Sequence, residues 1–407
     1  MKKIIIKMFL ILQVLMPLAI YSQEFTVTDI EINTLKKTRF STVLKIIDLN
    51  KGSIVTKEIT DSIKQDLLEA GIFQNDISVT LVELSESEAK IIIELKERWT
   101  IIPIPVAFVS SDSWFAGGVF IESNLLGLNQ TLVSGLFASD ENIQGFAAWV
   151  NPTLFNSDYS FGIGTSFFNG ENEYLDITGE NILNSFDEKH ISGSLSLGRD
   201  YPIGFGWDIS TGLEFFSNDQ EDGNVIFKNE ASISWEDLYY KGFFNEGWST
   251  NLKTSILSVS GDIFNPYINF KISKNTIFSD KNLLKLLINT SWSDALDYKP
   301  ILIGGTEGNR VLATGSVAVK KYADALISFE PVILNPSWGI FTLPIYYEAG
   351  VLNSVESDIN YWHGPGIGFR FYVDKVAIPA LGADFTWDFN NNLFKVAVSI
   401  GGTGGGN

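Results

Sequence analysis

Cysteine is absent from the 407 residues and histidine occurs only twice. Disulfides, thiolate metal sites and a cysteine nucleophile are thereby excluded, and histidine-based catalysis has little to draw on. The missing cysteine does not decide compartment, since an oxidising space permits disulfides without requiring them. Basic charge is also scarce: 29 Lys and Arg stand against 48 Asp and Glu, a formal net charge of -19. This excludes nucleic acid as a partner, because a phosphate backbone demands a concentrated basic surface. The excess acid reads as solvated loop, as at 219–222 and 353–358. The third absence is a long apolar run: beyond residue 20 no stretch of ~18 or more apolar residues occurs, so no segment there suits a membrane-spanning helix.

Residues 1–23 read as a removable signal peptide. Lys2, Lys3 and Lys7 make a basic start, residues 8–20 a short apolar core, and Tyr21-Ser22-Gln23 a cleavage region.

What is abundant is alternation. From Trp99 onward, segments of about ten residues carry apolar and polar side chains on opposite faces. Phe394, Val396, Val398 and Ile400 alternate with Lys395, Ala397, Ser399 and Gly401. Phe341, Leu343, Ile345 and Tyr347 repeat the pattern against Thr342, Pro344, Tyr346 and Glu348, and Leu381, Ala383, Phe385 and Trp387 against Gly382, Asp384 and Thr386. One face suits lipid and the other water. The pattern predicts a membrane all-β antiparallel barrel over 100–407, with a large soluble sandwich as the alternative. Turn signals place strand starts near Ile102, Trp114, Thr131, Ile143, Tyr159, Ile191, Trp207, Val225, Ser249, Tyr267 and Leu283, then near Ala325, Ile340, Gly366, Ala380 and Leu393. That makes about sixteen, an even number that lets the first and last strands close antiparallel. Long connections at 169–189, 217–224 and 293–322 fall at one end, and turns at 127–128 and 335–338 at the other. Trp338, Trp362 and Trp387 near strand ends suit interfacial girdles.

Residues 24–99 form a separate α+β domain. Residues 26–32 alternate as a strand, 39–49 have helical apolar spacing, and Lys51-Gly52 breaks it. Thr56 is the expected N-cap of a helix over 57–70, with Ile59, Ile63, Leu67 and Ala70 on one face and Gly71 as its stop. Residues 77–84 and 90–97 alternate as a hairpin. The expected order is strand, helix, helix, strand, strand. Alone, this pattern fits any small α+β domain.

This domain resembles a POTRA module, on Val27-x-x-Ile30, Leu49-x-x-Gly52, Leu67-x-x-x-Gly71-x-Phe73 running into Ile77-x-Val79, and the closing Leu95-x-Glu97. Thr34 stands where the family has glycine. The remainder resembles the BamA/TamA superfamily of outer-membrane assembly proteins, which also contains two-partner secretion transporters. The residues are Trp114-Phe115-Ala116-Gly117-Gly118 with the Asn124-Leu125-Leu126-Gly127 turn, Gly304-Gly305-Thr306-Glu307-Gly308-Asn309-Arg310, Ser328-Phe329-Glu330 and Tyr346-Tyr347-Glu348-Ala349-Gly350. Val311-Leu312 replace the family's glycine and aromatic, and residues 401–407 its terminal aromatic.

The resemblance implies an inward-folded loop bearing Gly304, Gly305 and Arg310, whose arginine faces Glu348 with Glu330 nearby. Physical reasoning points the same way. By alternation Glu330 and Glu348 face the lumen, where a partly desolvated carboxylate needs a cation and arginine binds one bidentately. On spacing alone, Arg310 reads more readily as a solvated loop residue and Glu348 as a residue of a wet rim; the motif match reverses that preference. The function implied is an assembly and insertion factor of a Gram-negative outer membrane, with the POTRA domain in the periplasm. Its edge would take unfolded outer-membrane or secreted polypeptides by β-augmentation, and a lateral seam would admit them. Outer-membrane lipids and accessory lipoproteins are the other partners. The alternative is a polypeptide secretion channel or passive pore of the same barrel type. No cofactor, metal or covalent catalysis is expected. His190 and His363 lack a Gly-x-Ser-x-Gly or paired-histidine motif, and Asp219, Glu221 and Asp222 lack calcium-loop spacing.

Overall fold

A computed structural model describes residues 23–109, 114–139, 141–154, 157–177, 182–201, 203–218, 223–259, 263–279, 281–293, 301–304, 308–312, 317–354, 359–375 and 381–400. The expected signal peptide, the acidic cluster at 219–222, Gly305 and the tail beyond residue 400 lie outside these residues. Among the described residues no helix is long and apolar enough to cross a membrane, which says nothing of a barrel.

An apolar face to be hidden organises the N-terminal region. It runs β1 (Phe25–Asn33), α1 (Phe40–Ile46), β2 (Ile54–Val55), α2 (Ile59–Glu69), β3 (Ser78–Glu83) and β4 (Glu88–Glu94). The sheet order is β2-β1-β4-β3, with β1 and β4 parallel and the outer pairs antiparallel. A register shift between Val27 and Asp29 lets Val27 and Ile30, three apart, turn to the same core. There they meet Val43 from α1, Ile63 and Leu67 from α2, and Ala89, Ile91 and Ile93 from β4. Two details differ from expectation. The two-residue β2 is too short to leave a periodic signal. Thr56 contributes only its carbonyl, to Ile59 N at 3.2 Å, because α2 starts after Glu58 and no side chain caps it.

The second region is a large, mostly antiparallel sheet. Its strands are β5 (Ile101–Val109), β6 (Trp114–Leu125), β7 (Gln130–Ser139), β8 (Asn142–Asn151), β9 (Tyr159–Leu175), β10 (Ile182–Asp200), β11 (Phe205–Asn218) and β12 (Asn224–Lys241). They continue with β13 (Phe244–Val259), β14 (Ile263–Phe278), β15 (Asn282–Ser293), β16 (Ile301–Ile303), β17 (Val317–Glu330), β18 (Val332–Leu334), β19 (Gly339–Thr342), β20 (Ile345–Ser354), β21 (Ile359–Val373), β22 (Leu381–Asp388) and β23 (Leu393–Ile400). Antiparallel ladders join each strand to the next from β5 to β15, then run β15-β17-β20-β21-β22-β23. The short β16 hangs on β17, and β18 and β19 pair with each other, β19 also with β21.

Alternation sorts the two faces as the strand period demands. Ile191, Leu195, Ile209, Leu213, Phe215, Ile233 and Trp235 are exposed large apolar residues, while Ser192, Glu214, Glu230 and Ser232 occupy the intervening positions.

Several boundaries depart from the turn signals. β9 and β10 run through most of 169–189, β17 begins at Val317 rather than Ala325, and β13, β14 and β21 also start early. Polar stretches read as loop because alternating hydropathy marks only the part of a strand that carries exposed apolar residues; the ladder continues past it. Leu343-Pro344 interrupts the expected strand at 341–347, dividing it into β19 and β20. Trp362 belongs to no girdle: it is 1% exposed, in an inward apolar cluster, with Gly350 clearing space for its ring.

The N-terminal region is fastened to one end of the large sheet at three points. At the β6–β7 turn, Arg39 N and Thr42 Oγ1 donate to Gly127 O at 3.0 and 2.8 Å. At the β12–β13 turn, Tyr240 N donates to Gln65 Oε1 at 3.1 Å. After β21, Asn75 N donates to Asp374 Oδ1 at 3.2 Å and Trp99 N to Lys375 O at 2.7 Å.

Candidate functional site

The loop between β15 and β17 turns inward, and two of its glycines are placed by backbone need. Gly304 has φ 124° and Gly308 φ 99°, conformations that L side chains avoid. A Cβ at Gly308 would also lie 2.3 Å from Asp324 Oδ1 on β17. These turns present successive N–H groups to one carboxylate: Gly308 N donates to Glu348 Oε1 at 3.0 Å and Arg310 N to Glu348 Oε2 at 2.8 Å.

The side chain of Arg310 completes the contact. Its Nε lies 3.0 Å from Glu348 Oε1, and the two side chains are 5% and 0% exposed. Its Nη1 donates to Asp384 Oδ1 at 3.1 Å, and its Cζ stands 4.0 Å over the Tyr346 ring. A Cβ at Gly366, opposite Tyr346 in the ladder, would sit 2.2 Å from that ring. Asp384 is shared: Arg370 Nη2 donates to both its oxygens at 2.9 Å. Four buried groups, two of each sign, thus meet in direct contact, the arrangement that makes buried charge tolerable.

Glu330 is engaged elsewhere. Leu326 is the β17 residue opposite Glu348, so Glu330 lies four residues, about 13 Å, further along the strand. There it accepts from Thr342 Oγ1 and, at 2.9 Å, from Tyr372 OH. Asp384 and Arg370 escaped the motif reading. Asp384 did stand on the water-facing half of an alternating strand, but no spacing says which inward residues meet across a lumen.

Val311 and Leu312, where the resembled family differs, are buried with Ile303, Val317, Val319, Leu352 and Trp362. The start of β17 then reaches the far wall: Val317 pairs with Leu175 of β9, and Ala318 packs with Tyr174 and Phe186. This apolar crossing lies at the end opposite the N-terminal region. On the inward face of β10–β15 is a polar cavity of about 570 Å³, lined among others by Asp208, Glu230, Glu236, Lys253, Lys271 and Lys285. Glu230 receives Lys228 and Lys253, each at 3.0 Å.

The histidines stand apart from these groups. His190 Nδ1 lies 2.7 Å from Glu188 and its ring stacks on Phe168, and His363 Nδ1 is 2.5 Å from Tyr347 OH. Among the described residues no group of three or more His, Asp or Glu is placed to hold a metal.

No family model and no curated protein matches the sequence. Solved structures do. BamA from Haemophilus ducreyi lacking POTRA domains 1–3 matches at 13% identity over 92% of this chain and 83% of that one, TM-score 0.54. CdiB from Acinetobacter baumannii matches at 13% identity over 90% and 71%, TM-score 0.62. CdiB from Escherichia coli matches at 9% identity over 94% and 90%, TM-score 0.56. The likeness is one of fold.

Proposed function

We propose that the chain is an outer-membrane β-barrel of about sixteen strands that passes polypeptide as a gated channel. Residues 1–23 would be its export signal, 24–99 a periplasmic POTRA-type domain and 100–407 the barrel. The strand order, which sets β23 beside β5, supports closure. Exposed apolar residues at alternate positions support a lipid-facing wall. The observation that carries the channel reading is the Arg310 loop: a plug held by buried ion pairs and an apolar cluster, with a polar, charge-lined cavity elsewhere in the interior. A passage of this kind needs such a lock, and a filled structural core does not. The clients would be unfolded polypeptides, received at the N-terminal domain's sheet edge.

A second reading, insertion of other barrels, draws on the strands at the seam. As described, β5 and β23 are 9 and 8 residues long, against 17 and 19 for β9 and β10. Short strands pair weakly, as a lateral opening requires. Purified protein in liposomes separates the two. Under the channel reading it conducts ions or releases a trapped unfolded polypeptide, and does so more when Arg310 is removed. A membrane that stays tight while an added unfolded barrel folds faster would instead establish insertion.

A further inference from the structure

Asp384 holds two arginines of different standing. Arg310 comes from the loop, whereas Arg370 lies on β21, the strand paired with β22 where Asp384 sits. The Arg370 position is cut into the wall. A Cβ at Gly368 would lie 2.5 Å from Asp384 Oδ1 and 2.9 Å from Arg370 Nη1, and one at Gly382 2.9 Å from Arg370 Cδ. Both glycines keep open the space this pair fills. The Arg370–Asp384 contact is thus made between the paired strands β21 and β22, with both acceptor oxygens at 2.9 Å.

We infer that Arg370 is a resident counter-ion that sets how readily the Arg310 loop leaves the lumen. With Arg370 in place, withdrawal of Arg310 strips the guanidinium from Glu348 but leaves Asp384 paired. Arg370 also repels Arg310 across the carboxylate they share. Without Arg370, Asp384 would depend on Arg310, and withdrawal would leave two buried carboxylates bare. The wall arginine thus loosens the latch that the loop arginine makes. The inference rests on the reading of the loop as a movable plug.

The absence of cysteine makes the test clean. Val311 is 0% exposed beside the latch, so a single thiol from Val311→Cys reacts with a water-soluble maleimide only when the loop opens. In the full chain in liposomes, Arg370→Met should slow this labelling by about tenfold, as expected for losing one charge beside another in a low-dielectric site. Arg370→Lys, which keeps the charge, should label near the parent rate. Asp384→Asn with Arg370→Met should restore fast labelling, because Arg310 then loses its second carboxylate. Heat-modifiable migration confirms a folded barrel in each variant. Labelling of Arg370→Met at or above the parent rate, or a parent thiol that never reacts, overturns the inference. Conductance is read separately: Arg370-dependent labelling without conduction would keep the counter-ion and discard the channel.

Discussion

Arg310 concentrates the local energetics. Arg310→Ala leaves Glu348 buried without its guanidinium, a loss of about 3–5 kcal/mol for a dry pair and less where water enters. Arg310→Glu should be worse, since it sets a third carboxylate against Glu348 and Asp384. Glu348→Arg should rescue it only in part, because the loop N–H groups of Gly308 and Arg310 lose their acceptor. Denaturation in detergent monitored by gel migration gives the order; a double swap no better than the single one removes the lock. Thr34 is a second local case, a β-branched residue at φ 73° whose Oγ1 reaches Asn33 O and Leu95 O. Thr34→Val keeps the strain and drops the single hydroxyl donor these carbonyls share, so it should cost about 1 kcal/mol, more than Thr34→Gly, which drops strain and donor together. Protection of the β1 and β4 amides from hydrogen exchange reads the difference. Sequence made Arg310 and Glu348 legible because a glycine-flanked arginine and an inward carboxylate each leave a local mark. Arg370, Asp384 and the niches at Gly366, Gly368 and Gly382 left none, since they depend on register across the sheet.

At the scale of elements, α2 carries the clearest pH response. Burial raises the Asp66 carboxyl to about 6, with Asp48 adding to the effect, and burial raises Glu69 too, with Asp66, Glu236 and Asp200 contributing. A carboxyl whose folded pKa exceeds its unfolded value stabilises the fold most when protonated. The contribution of Asp66 should therefore be full below about pH 4 and fade as pH rises through about 6. Amide exchange at Ile63 and Leu67 between pH 4 and 7 should follow this course, and Asp66→Asn should flatten it. The helix itself was readable, since Ile63 and Leu67 are core residues at helical spacing. Its start was not, because a capping side chain competes with a backbone turn that sequence does not display. The strands follow the same logic. Where a strand carries exposed apolar residues at every second position, as at Phe394 and Val396, alternation marks it. Where β9 and β10 extend beyond, the backbone ladder continues under side chains of mixed polarity, and the composition looks like loop.

For the whole molecule, the two ends of the large sheet carry different contacts. At one end the N-terminal region is held at three turns, and at one of them Gly127 leaves no room for a side chain. A Cβ there would lie 2.1 Å from Lys37 O at a φ of 72°, so Gly127→Ala should loosen the domain and expose 36–39 to protease while the sheet stays resistant. At the other end, Val317 and Ala318 bring β17 against β9 and β10 in an apolar contact. Ala318 is 0% exposed between Tyr174 and Phe186. A carboxylate there would lie between two buried aromatic rings, and the solvation it demands favours separating the strands. If this crossing is the barrier to passage, the parent protein in a planar bilayer should conduct little. Ala318→Asp should then raise the open-channel fraction severalfold with the barrel still folded, and Ala318→Val should not. Equal conductance in all three would place the barrier at the Arg310 latch or the N-terminal domain instead.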